Sequence, residues 1–130
     1  MDNHFHFVIQ VSCLEKEVTQ SFSNFFNSYA KSFNKEQDRT GSLFDKHFKR
    51  IRLDDEKHLK SLVMYVHLNP KHHFDLDFQH YRFSSYQALI CNKETKVERE
   101  EVLKMFAGKE NFIFCHLQRN DLLTEKHTLE

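Results

Sequence analysis

The sequence has no tryptophan, one proline, two glycines, three cysteines and a formal net charge of zero. Each scarcity excludes something. Cys13, Cys91 and Cys115 are odd in number, far apart and outside any CxxC arrangement, so neither a disulfide framework nor a thiolate metal site is expected. No apolar run is long enough to span a bilayer. The first residues, Met1-Asp2-Asn3-His4, lack the basic start and apolar stretch of a signal peptide, so the expectation is a cytosolic chain with no membrane partner. Zero net charge argues against coating nucleic acid through bulk charge. With tryptophan absent, the 14 phenylalanines predict a Phe-heavy core.

At 130 residues the chain fits one domain, near the size where losing one element matters. Residues His4 to Val11 alternate, with Phe5, Phe7, Ile9 and Val11 on one side and His4, His6, Val8 and Gln10 on the other, which predicts a half-buried strand. From Glu15 to Phe33, Val18, Phe22, Phe25, Phe26, Tyr29 and Phe33 recur at helical spacing, predicting an amphipathic helix whose aromatic stripe is core. Residues 34–42 read as a loop around Gly41, and 43–53 as an extended or strand element. Asp54 or Asp55 can cap a second helix carrying Leu59, Leu62, Val63 and Val66, which Pro70 is expected to end just after Asn69. Residues 71–77 then read as a loop. Ser84 and Ser85 can cap a short helix through Cys91, and helices over 96–106 and 109–118 follow, separated near Gly108, with fraying from Asn120.

Two constellations could carry chemistry. His4 and His6, two apart on a strand, lie on one face about 6.6 Å apart, close enough for both imidazoles to reach one metal ion. Tyr65 and Asn69, four apart on a helix, also share a face. A phenol with the reference pKa of about 10 is ionised to roughly one part in a thousand at neutral pH, so a tyrosine nucleophile needs a base, a metal or both. Between Ala30 and Arg52 there are seven positive residues (Lys31, Lys35, Arg39, Lys46, Lys49, Arg50, Arg52) against three negative ones. Taken alone, that run reads as a solvated face.

The blocks Asn3-His4-Phe5-His6-Phe7-Val8-Ile9, Arg39-Thr40-Gly41-Ser42-Leu43-Phe44, Phe48-Lys49-Arg50, Tyr65-Val66-His67-Leu68-Asn69-Pro70 and Tyr81-Arg82-Phe83-Ser84-Ser85-Tyr86 stand in this order and cover most of the chain. Together they resemble the signature blocks of the REP-associated tyrosine transposases, relatives of the HUH single-tyrosine insertion-sequence transposases. The resemblance implies that His4 and His6 bind a divalent ion, Mg²⁺ or Mn²⁺, with Asn69 as third ligand. Imidazole and carbonyl ligation together suit Mn²⁺ somewhat better. Tyr65 is then the nucleophile that joins a DNA 5′ phosphate. Single-stranded or hairpin DNA is the implied partner, with Arg39, Lys46, Lys49, Arg50 and Arg52 as phosphate contacts.

Asp2 stands where such proteins usually have Pro, and Phe83 where they usually have Trp. They also begin with a strand, a helix and a further strand before the His pair, whereas this chain begins beside it. The expected fold is therefore α+β: a truncated ferredoxin-like HUH domain over 1–90, with 91–130 as a C-terminal helical extension of it. Its unpaired sheet edges would invite a homodimer. The expected activity is metal-dependent cleavage and rejoining of DNA through a 5′-phosphotyrosine. The rivals are a fragment that binds DNA hairpins without catalysis and a gene remnant.

Overall fold

The structure is a computed structural model and describes residues 4–12, 14–45 and 48–128, with side chains described as far as Leu122. Among these residues there are five α-helices and no strand, which overturns the expected α+β ferredoxin-like fold. Residues 4–12 form neither helix nor ladder, and neither do residues 48–53. Alternation specifies which side of a strand is apolar, but a strand exists only when a second extended segment pairs with it. Most of the remaining described chain is helical, so the alternating segment finds no partner. With no sheet among the described residues, no unpaired sheet edge remains there to invite the expected homodimer.

The chain divides into two compact units, Ile9–Arg52 and a second made of residues 1–8 with Leu53–Glu130. The first unit is built on α1 (Glu15–Glu36). Leu14 at its N-cap offers no side-chain oxygen, so Glu15 and Glu17 in the first turn, favourable at the positive end of the helix dipole, mark its start instead. Asp38 in the left-handed region (φ 46°) and Gly41 (φ 90°) turn the chain after it. Asn34 braces that turn, with Nδ2 donating to the Gly41 carbonyl at 2.9 Å and Oδ1 accepting from Arg39 Nη1 at 3.1 Å. The stripe on α1 is not the core that its spacing predicts, because no residue of α1 is buried. Its rings pack instead on Phe44 and Phe48 as a half-exposed cluster.

The second unit contains α2 (Glu56–Phe74), α3 (Tyr86–Ile90), α4 (Arg99–Met105) and α5 (Lys109–Thr128). Asp55 caps α2, accepting from the backbone N–H groups of Lys57 and His58. Pro70 does not end this helix, as its sequence position suggested; it lies within it, and the helix runs on to Phe74. A proline removes one hydrogen bond and crowds the preceding turn. Here Leu68, Asn69 and Pro70 are all buried, and that packing holds the helical path. The helix closes at Asp75, in the left-handed region (φ 54°), where the Asp75 N–H bonds the Lys71 carbonyl and the Leu76 N–H the Pro70 carbonyl. Ser84 Oγ accepts from the Tyr86 N–H at the start of α3. Ala107 and Gly108, both at positive φ, separate α4 from α5. α5 continues through Thr128 rather than fraying at Asn120. Helix α2 packs on α5, and α3 on α4, around Val63, Leu68, Phe78, Tyr86, Leu89, Phe106 and Phe112. No described helix is long and apolar enough to cross a membrane.

The α2–α5 interface contains a polar thread. His67 Nδ1 lies 2.9 Å from His116 Nε2, His67 Nε2 lies 2.9 Å from Ser85 Oγ, and His116 Nδ1 lies 2.8 Å from the Phe112 carbonyl. A carbonyl can only accept, so His116 carries its proton on Nδ1 and accepts at Nε2. His67 must then donate from Nδ1, and Ser85 donates into His67 Nε2. Both rings are neutral and both are buried. Burial, with His116 alongside, pushes His67 down to about 3, and burial pushes His116 to about 4 against the opposing effect of its bond to Phe112.

Candidate active site

The N-terminal segment brings its two histidines together without a strand. The rings of His4 and His6 are 5.4 Å apart and nearly perpendicular, while Phe5 and Phe7 stack at 4.8 Å. His6 then meets Tyr65 of α2, ring to ring at 6.0 Å. Tyr65 is 42 % exposed, so its phenol is open to a large substrate. One turn further along α2, Asn69 is 1 % exposed, and neither Oδ1 nor Nδ2 has a hydrogen-bond partner. A buried amide left unpaired costs free energy of order 1–3 kcal/mol, which makes it a candidate for an external partner.

Histidine 73 was hidden in the sequence. With Pro70 taken as a terminator, residues 71–77 read as a loop; with the helix running to Phe74, Tyr65, Asn69 and His73 fall at i, i+4 and i+8 on one face. The proton affinity of His6 is lowered first by burial and then by His4 and His73, so both histidines bear on His6. That direction favours the neutral imidazole, the form that ligates metals.

Among the described residues no group of three His, Cys, Asp or Glu side chains converges as a metal site. The contacts found join His4 to His6 and His6 to Tyr65, while the Asn69 amide is buried one turn further along α2.

The basic residues expected to meet DNA lie in the other unit, Ile9–Arg52. Arg39 is tied to the loop after α1 through Asn34 and lies 5.9 Å over the Phe33 ring. Arg50 bonds Glu15 and Thr19, each at 3.3 Å, at the start of α1. Lys49 and Arg52 are exposed, and Lys46 lies outside the described residues. Two further residues escaped sequence reasoning: Ser85 and His116, which hold His67 two positions from Tyr65. His67 and His116 are 49 apart in sequence, and no local spacing announces the pair. Comparison of the chain with protein-family models, with curated proteins and with solved structures finds no match.

Proposed function

We propose that this chain cleaves and rejoins single-stranded or hairpin DNA by transesterification through Tyr65, as its resemblance to the REP-associated tyrosine transposases implies. The observation that supports the reading is the meeting of His6 with an exposed Tyr65, 6.0 Å apart, at the head of a helical face that continues to the unpartnered amide of Asn69. The phenolic oxygen of Tyr65 attacks a backbone phosphorus, and the bond to the 3′ oxygen breaks. The 5′ phosphate stays on tyrosine, the phenol gives up its proton and the departing 3′ oxygen takes one up. A bound Mg²⁺ or Mn²⁺ would supply polarisation of the scissile phosphate and neutralise developing charge. His4, His6 and Asn69 would hold that ion, and burial, with His4 and His73 nearby, lowers the proton affinity of His6 in the direction that favours the neutral, ligating form. Arg50 can exchange its exposed pair with Glu15 for a DNA phosphate at little cost.

A labelled single strand incubated with Mn²⁺ should yield a protein–DNA adduct that survives denaturation and that chelator prevents. Tyr65→Phe should abolish the adduct and leave DNA binding nearly intact, since only the nucleophilic oxygen is lost. The paired change His4→Ala, His6→Ala should abolish both the adduct and calorimetric Mn²⁺ binding. Hairpin binding with no adduct under any metal would leave a hairpin-binding fragment without catalysis.

A further inference from the structure

Unit Ile9–Arg52 carries an aromatic surface that chemistry at Tyr65 does not use. Phe26 stands at its centre, with Phe25 at 5.3 Å, Phe22 at 6.1 Å, and Phe44 and Phe48 each at 5.4 Å. Tyr29 extends the chain of rings, meeting Phe44 at 6.4 Å and Phe33 at 6.2 Å. A cluster of this size would ordinarily be a core, yet Phe25, Tyr29 and Phe48 are 54, 51 and 46 % exposed. Cations bracket it. Arg39 lies over Phe33 at one end, and Arg50 bonds the first turn of α1 at the other, with exposed Lys49 following Phe48 in sequence. The unit holds eight Lys and Arg against five Asp and Glu, and the rest of the chain eleven against fourteen, so zero net charge conceals a basic unit.

This charge decides between occupants. The centre of a protein–protein interface is depleted of charge, and a second copy of this face would bring the same cations against themselves. A single-stranded nucleic acid brings flat bases for exposed rings and phosphates for the flanking cations. We propose that the aromatic face of α1 is a base-stacking platform for single-stranded nucleic acid, with Phe25, Tyr29 and Phe48 taking bases and Lys49 and Arg50 taking phosphates. Binding here requires neither Tyr65 nor a metal, and it tolerates sequence because every base has a stacking face.

The test is fluorescence anisotropy of the full chain in chelator, with a labelled oligothymidylate and an abasic phosphodiester strand of equal length. Oligothymidylate should bind more tightly than the abasic strand. The paired change Phe25→Leu, Tyr29→Leu should weaken oligothymidylate binding about tenfold or more and leave the abasic strand unaffected. Leucine keeps the surface apolar, so a protein-docking face would survive the exchange while a stacking face would not. Phe25→Trp, Tyr29→Trp should restore or raise affinity, which excludes loss through misfolding. Equal affinity for both strands, unchanged binding by the leucine variant, or a stable dimer that shields both rings would overturn the proposal. Oligothymidylate binding without any covalent adduct would refute only the tyrosine chemistry, because Tyr65→Phe leaves the platform whole.

Discussion

Asn69 is the residue at which the fold and the proposed metal-binding role pull apart most clearly. Its amide is buried and unpartnered, so an apolar side chain of similar size should suit the fold better. Asn69→Leu is expected to raise stability in chelator by about 1–3 kcal/mol. It should also remove the rise in melting temperature that Mn²⁺ is expected to give the parent. Thermal melts with and without Mn²⁺ check both, and a variant less stable than the parent in chelator would show that the amide has a partner in the fold. The four-residue spacing of Tyr65 and Asn69 translates into a shared face because α2 forms, whereas the strand expected to set His4 beside His6 does not form and the two rings meet at 5.4 Å without it. His73 could not be placed from sequence, since its register depends on α2 continuing through Pro70, which packing of Leu68 and Pro70 decides.

At the scale of elements, α2 carries Tyr65 and Asn69 of the candidate site and packs on α5. The cap at Asp55 should contribute about 1 kcal/mol, the usual loss for removing such a side chain, and Asp55→Ala with a urea melt measures it. The His67–His116 contact makes the α2–α5 interface sensitive to acid. In the unfolded chain both rings titrate near the ordinary value of about 6.5, while in the fold they titrate near 3 and 4. Between those values the unfolded state binds more protons, so stability is complete above about pH 7 and falls as pH drops. By pH 5 the loss should approach 2 kcal/mol for each ring. Urea midpoints that stay constant from pH 7 to pH 5, or NMR showing both buried rings protonated at pH 5 in the folded protein, would contradict this. The helices α1 and α2 were legible because apolar spacing and a capping Asp are local signals. Residues 4–12 were misread because alternation is local but strand pairing is not, and no described segment pairs with them.

For the whole molecule, the separation of charge matters more than its zero sum. The unit Ile9–Arg52 is basic, and DNA affinity should therefore fall steeply with salt. Lys49→Ala and Arg50→Ala should each lower the slope of log affinity against log salt by about 1, because each lost phosphate contact releases fewer counterions. An unchanged slope would remove that segment from the DNA surface. Whether Tyr65 is a nucleophile toward DNA is read most directly by mass spectrometry of protease fragments after incubation with a single-stranded substrate and Mn²⁺. A nucleotide 5′ phosphate is expected on the peptide containing Tyr65, absent in chelator. A modification mapped instead to Tyr29, Tyr81 or Tyr86, or no covalent product from a strand that the protein binds, would contradict it.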